Sequence, residues 1–194
     1  MKFCSECGHR VEKRVAADDP IPRFRCTHCH YVHYQNPKIL VSCYATWEDK
    51  VLWIRRGTEP FKGKWAAPSG FMEENETLVE AAARELYEET RARVDMDKMS
   101  LHMVGNLTQM NQVYIVFHAP LLSPEFATTP EAEEARLLTL DEFPFDDFAF
   151  PEVVENVSLF YRDIQNQHFN VYLGTLKNGV NQVIQNDDSH LHRL

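Results

Sequence analysis

Three glutamates, Glu85, Glu88 and Glu89, lie three and four residues apart within GFMEENETLVEAAARELYEETRA, residues 70–92. At about 100° per residue they fall within roughly 100° of one another, at the edge of an apolar stripe. Like charges at this spacing repel in a bare helix. Two arrangements accommodate them. They can form a solvated face, with Glu80 paired to Arg84 and Glu89 to Arg93, each four residues on. Alternatively they can surround a cation, since clustered carboxylates suit Mg²⁺ or Mn²⁺ and these ions in turn hold substrate phosphates. A second constellation stands near the N-terminus: Cys4-x2-Cys7 and, after eighteen residues, Cys26-x2-Cys29. Paired CxxC knuckles at this separation read as a tetrahedral zinc site. Four thiolates leave no open position for water, so the role is structural. Gly8 supplies the sharp turn after the first pair, while His9, His28, His30 and His33 crowd the same stretch.

The acids need a helix with a fixed start. Pro68-Ser69-Gly70 is a glycine-ended loop, and Thr77 and Glu80 have capping-box spacing. Leu78, Val79, Ala82, Ala83, Leu86 and Thr90 then form one apolar arc. Ahead of this helix, residues 39–47 and 51–56 read as two strands joined by a turn at Glu48-Asp49-Lys50, with Cys43 a small buried hydrophobe in the first. Residues 57–67, with Pro60 and Gly63, form a loop. Trp65 within it is core or a ring available to a ligand. Behind the helix, residues 101–107 and 112–119 are strands, and Tyr114 and Val116 share one face of the second. Residues 120–133 make a long acidic loop of the kind that serves function in a compact domain. A short strand returns at 136–140. Pro151 then opens a helix in which Val153, Val154, Val157, Phe160, Tyr161 and Ile164 recur at helical spacing. The polar stretch from about 178 to 194 is expected to fray.

The chain has 194 residues, 44% of them hydrophobic and 25% charged, which suits a globular domain with a small appendage. It has no apolar run long enough to span a membrane, and the N-terminus lacks a signal-peptide core. These features predict a cytoplasmic protein whose five cysteines stay reduced. A net charge of −9 argues against nucleic acid as a partner, although residues 1–38 are biased toward basic side chains.

The spacing Gly70-x5-Glu76-x7-Arg84-Glu85-Leu86-x-Glu88-Glu89 resembles the Nudix box, G-x5-E-x7-R-E-U-x-E-E-x-G-U with U aliphatic. Arg91 and Ala92 depart from its last two fixed positions. The family glycine sits where the helix ends and left-handed backbone is favoured, so arginine there costs about 1 kcal/mol. The resemblance implies an α+β Nudix fold, a mixed β-sheet sandwiched between α-helices, preceded by a small zinc ribbon. The expected division is residues 1–34 for the ribbon, 35–168 for the Nudix domain and 169–194 for a partly flexible C-terminal extension.

A ribbon ahead of such a domain is similar to the NADH pyrophosphatase group. It is closer still to Nudix proteins assigned to ADP-ribose and FAD diphosphatase activity, which share Tyr34-Gln35-Asn36-Pro37-Lys38, Gly63-Lys64-Trp65, Asn111-Gln112-Val113-Tyr114 and Phe148-Ala149-Phe150. The SQPWPFP-type segment of NADH pyrophosphatases is absent, which counts against NADH. The resemblance implies hydrolysis of a nucleoside diphosphate linked to a second group. Glu85, Glu88, Glu89 and the Ser69 carbonyl would hold Mg²⁺ or Mn²⁺, Arg84 would orient the glutamates, and Glu76 would brace the loop. The base would come from Glu131, Glu133 or Glu134, with Glu131 best placed. Trp65, Tyr114 and Gln112 are the candidate substrate contacts, and a homodimer is expected. The other readings are removal of a dinucleotide-like RNA cap and a non-catalytic ADP-ribose sensor.

Overall fold

The computed structural model describes residues 1–16 and 19–185. The chain divides into two compact units, Met1–Pro37 and Lys38–Leu194. In the first, β1 (Val11–Ala16), β2 (Asp19–Cys26) and β3 (Val32–His33) form an antiparallel three-stranded sheet in that order. Cys4, Cys26 and His33 are buried there. A unit this small has little apolar surface from which to make a core of its own, and a metal held by its cysteines would take that place.

The second unit runs β4 (Lys38–Trp47), β5 (Lys50–Arg56), β6 (Trp65–Ala66), β7 (Ser69–Phe71), α1 (Leu78–Thr90), β8 (Ser100–Leu107), β9 (Gln112–Pro120), β10 (Ala132–Leu138), α2 (Glu155–Asn166), β11 (Tyr172–Lys177) and β12 (Val180–Gln185). The main path of its sheet is β10-β5-β4-β9-β8-β11-β12, with β6 beside β5 and β7 beside β4. The pairs β4–β9 and β8–β11 are parallel, and the others along the path are antiparallel.

Strand alternation gives the sheet two apolar faces. Val41, Cys43, Ala45 and Leu52 pack on Ala81, Ala82 and Leu86 of α1. Tyr44, Val51, Trp53 and Val116 pack on Val157, Phe160 and Tyr161 of α2. On this face Trp53 Nε1 donates to Tyr161 Oη at 2.8 Å, and that hydroxyl donates to the Leu138 carbonyl at 2.6 Å. An unpaired indole or phenol here would cost about 1–3 kcal/mol. The buried His102, by contrast, is set against Tyr44, Phe160 and Tyr172 and has neither ring nitrogen in a hydrogen bond among the described residues.

Two expectations need correction. Pro151–Val153 is a 3-10 turn, and the regular helix starts only at Glu155. Residues 172–185, expected as part of a loose extension, form a hairpin that adds two strands to the sheet. β12 is an edge strand whose exposed face carries Val180, Gln182 and Ile184 while Val183 packs against the core, and this mixture reads in sequence as a polar tail. The rest of that stretch, residues 186–194, lies outside the described residues.

Candidate functional site

The box helix begins as its spacing demands. Glu80 N donates to Thr77 Oγ1 at 3.2 Å, and Thr77 N donates to Glu80 Oε2 at 2.7 Å. It ends at Arg91, a non-glycine residue held left-handed at φ 59°. Between these ends the three glutamates are graded by depth. Glu88 is exposed, Glu85 is mostly covered, and Glu89 is only 6% exposed.

Arg84 ties the acids together. Its guanidinium donates to both oxygens of Glu76 at 2.9 and 2.7 Å, to Glu85 Oε1 at 2.7 Å, to Glu88 Oε2 at 3.1 Å and to the Phe71 carbonyl at 3.1 Å. Glu76 in turn accepts from Glu73 N at 2.6 Å, which closes the loop ahead of the helix. Hydrogen bonds to Arg84 hold the Glu76 carboxyl down at about 2.

Glu89 turns inward and accepts from Ser69 N at 3.0 Å. Burial pushes its carboxyl up to about 8; that amide bond opposes the shift, and the charges of Glu85 and Glu131 add to it. Burial also raises Glu85. Gly70 lies so close beneath the Glu85 carboxylate that a Cβ there would collide with it, which gives the first glycine of the box a steric reason. Among the described residues, Glu85, Glu88 and Glu89 do not converge into one set of mutually close oxygens. The site nevertheless fits a hard divalent cation chemically. Its donors are oxygens only, and its crowded carboxylates carry negative charge out of water.

The three glutamates of the loop candidate set have different surroundings. Glu134 is held by Arg55 Nε at 2.9 Å and by Arg136. Glu133 is exposed. Glu131 is exposed, and its charge acts on both Glu85 and Glu89. Its segment is stitched to the helix end: Thr129 Oγ1 donates to the Glu89 carbonyl at 3.0 Å, and Gly57 N to the Glu131 carbonyl at 2.8 Å.

Beside Ser69 and Gly70 opens a cavity of about 400 Å³ on the α2 face of the sheet, of a size that suits a small ligand. Tyr44, Met103, Tyr114, Phe148 and Phe150 give it a mainly apolar wall, with Phe61 and Phe71 also lining it. Gln112 and Tyr114 line it as well, but Trp65 does not. Trp65 is 3% exposed and packs in the core, with the guanidiniums of Arg55 and Arg136 at 5.1 and 5.9 Å from its ring centre. Of the two readings for Trp65, the structure has the ring in the core and off the cavity wall. Arg56 was missed by sequence reasoning. It lines the cavity, donates from Nε to the Pro60 carbonyl at 2.8 Å, and its charge reaches Glu89. The only sequence signal was its position at a strand end before Gly57. Asn156, Leu176 and Asn181 also line the cavity, from elements with no local motif.

In the N-terminal unit the four cysteine sulfurs lie within 4.8 Å of one another, with 3.7 Å for Cys4–Cys29 and 3.4 Å for Cys7–Cys26 and Cys7–Cys29. A zinc tetrahedron with bonds of about 2.3 Å has sulfur–sulfur edges of about 3.8 Å, so the cluster fits zinc. The amides of His28 and Cys29 each donate to Cys26 Sγ at 3.4 Å, and His33 Nε2 lies 3.3 Å from Cys4 Sγ. Gly8 makes its turn at φ 72°. His9 and His28 stack on one another at 4.0 Å.

A mixed sheet between two helices, clustered acids on a capped helix and a four-cysteine N-terminal unit are the architecture of a Nudix hydrolase with a ribbon module. The chain belongs to the Nudix family: residues 37–157 match the NUDIX domain and residues 2–35 the Nudix N-terminal zinc ribbon. It is similar to a Nudix hydrolase of known structure from Nitrosomonas europaea, with 42% identity, a TM-score of 0.85, and coverage of 91% of this chain and 99% of that one. An ADP-ribose pyrophosphatase of Methanocaldococcus jannaschii is 27% identical over 152 residues, 77% of this chain and 85% of the relative. An NAD-capped RNA hydrolase NudC of Haemophilus influenzae is 34% identical over 91 residues, 46% of this chain but 33% of the relative. The protein is thus a Nudix hydrolase. Among the described residues, no helix is long and apolar enough to cross a membrane.

Proposed function

We propose that this hydrolase cleaves the diphosphate of FAD or ADP-ribose with Mg²⁺ or Mn²⁺ and releases AMP. The observation that carries the reading is the mainly apolar, aromatic-bearing cavity that opens at Ser69 and Gly70, beside the box acids and Arg56. A flat ring enters such a space, and the diphosphate attached to it then lies toward the charged end. The likeness to an ADP-ribose pyrophosphatase over most of both chains points the same way.

A bound divalent ion supplies charge neutralisation at the phosphates and a more acidic water. Glu85, Glu88, Glu89 and the Ser69 carbonyl are the groups that would hold it. Arg84 acts through them as a positioning residue, since its donors are committed to Glu76, Glu85, Glu88 and Phe71. Arg56 meets the negative charge of the diphosphate. Glu131 accepts the proton of the attacking water as its oxygen bonds to phosphorus and the bridging P–O bond breaks, and the leaving phosphate departs on the other fragment. ADP-ribose then gives AMP and ribose 5-phosphate, and FAD gives AMP and FMN.

The test is product chromatography over FAD, ADP-ribose, NADH, NAD⁺ and diadenosine polyphosphates with Mg²⁺ or Mn²⁺. AMP from FAD or ADP-ribose at the highest kcat/KM is the expected result. A higher value for NADH or for a nucleoside triphosphate would overturn the substrate assignment.

A further inference from the structure

The cavity wall carries a polar pair that the proposed reaction does not use. Asn156, in the first turn of α2, is 8% exposed, and Asn181 projects from β12; both line the cavity. Asn181 Nδ2 donates to Asn156 Oδ1 at 3.1 Å, and among the described residues neither side chain makes another hydrogen bond. Asn156 Nδ2 and Asn181 Oδ1 stay outside that bond, so the pair offers a ligand both an amide donor and an amide acceptor. Turning both amides over exchanges their roles but again leaves one donor and one acceptor. Met103, Phe148, Phe150 and Leu176 offer apolar surface to a ring's faces, and Glu152 and Thr175, the latter accepting from Asn106 Nδ2 at 3.5 Å, also line the cavity.

We propose that Asn156 and Asn181 recognise the adenine edge of the substrate and set the base specificity of the hydrolase. This deepens the reading of the cavity above and rests on a nucleoside diphosphate being the substrate. Adenine presents a ring-nitrogen acceptor beside its 6-amino donor, the complement of an amide donor and an amide acceptor. A single Asn or Gln side chain singles out adenine through the same two hydrogen bonds, which are here divided between two asparagines. The Asn181 oxygen accepts from the 6-amino group, and the Asn156 amide donates to the neighbouring ring nitrogen. Asn181 belongs to the β11–β12 hairpin, beyond residues 37–157 that match the NUDIX domain. Selection of the base is therefore supplied by a part of the chain separate from the box that performs the reaction.

The experiment compares AMP, IMP and purine riboside 5′-monophosphate, which lacks the 6-amino group, as competitive inhibitors and by calorimetry. The proteins are the full-length chain, Asn181→Ala, Asn156→Ala and Asn181→Asp. The unmodified protein is expected to bind AMP at least about tenfold more tightly than the deamino analogue, the worth of one well-made hydrogen bond. Asn181→Ala should reduce that preference to about twofold or less and raise KM for ADP-ribose while kcat stays within about twofold. Asn181→Asp, which keeps an acceptor oxygen, should retain most of the preference. Equal binding of the three mononucleotides by the unmodified protein would overturn the assignment. So would a uniform loss for all three in Asn181→Ala with the preference kept, since that marks only a packing role. FMN bound more tightly than AMP, and weakened by Asn181→Ala, would give the pair to the flavin instead. Hydrolysis without base preference removes the pair but leaves the reaction. Absence of hydrolysis removes the reaction, and the calorimetry then judges the pair alone.

Discussion

Replacing Glu89 with glutamine separates what this carboxylate costs the fold from what it contributes to the reaction. Glutamine has nearly the same volume, and its carbonyl can still accept from Ser69 N, so the change removes charge and little else. The folded carboxyl is pushed up to about 8 from an ordinary 4.5, chiefly by burial. Between these two values the folded protein keeps a proton that the unfolded chain releases, so unfolding free energy falls as pH rises. Below about 4.5 both states are protonated and the substitution should change little. Above about 8 both are ionised and the full penalty applies. At about 1.4 kcal/mol per pH unit the interval sets a ceiling of about 5 kcal/mol, and residual water in the site lowers the expected gain to about 2–4 kcal/mol. Urea unfolding of both proteins from pH 5 to 9, with no divalent cation added, should show Glu89→Gln gaining on the parent as pH rises. Its kcat with saturating Mg²⁺ should fall at least about a hundredfold. Added Mg²⁺ should stabilise the parent at pH 9 far more than the variant. A stability difference independent of pH, or a variant less stable than the parent at pH 9, would refute the claim that Glu89 is a desolvated charge.

Purified protein prepared without chelator should carry about one zinc per chain by elemental analysis, and Cys26→Ser should lose the metal while keeping the second unit folded. Glu131→Gln should lower kcat, leave the apparent Mg²⁺ affinity unchanged and flatten the acidic limb of the pH–rate profile; the same result from Glu134→Gln instead would move the base within the loop. Arg91→Gly should raise unfolding free energy by about 1 kcal/mol in thermal or urea melts, because the helix ends there at φ 59° on a residue with a Cβ.

What could be read in the sequence was local. The capping box at Thr77 and Glu80, the apolar arc of α1 and the left-handed end at Arg91 each depend on residues within one or two helical turns, and each appears in the structure as its spacing implies. The knuckle spacing likewise brings the four cysteines together. Trp65 stayed open between core and ligand contact because an aromatic side chain just ahead of the box looks the same in sequence whether its ring meets a ligand or packs beside arginines. Only the fold places Arg55 and Arg136 against it. The cavity was not legible for a related reason. Its wall joins Arg56, Tyr114, Phe150, Asn156 and Asn181, drawn from three strands, one loop and one helix, and no periodicity connects them. The depth of Glu89 was half legible, since the wheel puts it at the stripe's edge. Its contact with Ser69 requires the loop to fold back over the helix.

The parallel pairing of β11 with β8 has a consequence for how the molecule is assembled. The contact that seats Glu89 on Ser69 closes a gap of 20 residues, whereas the contact from Thr108 to the Leu176 carbonyl beside the cavity closes one of 68. Chain closure over longer gaps is entropically dearer and comes later in folding. The contact beside the box acids is thus the locally determined one, and the end of the cavity where base selection is proposed is the distant one. A hairpin joined to the sheet through one edge strand can be exchanged or reshaped without disturbing α1, so descent with variation can change the molecule that is chosen while the reaction done to it stays the same.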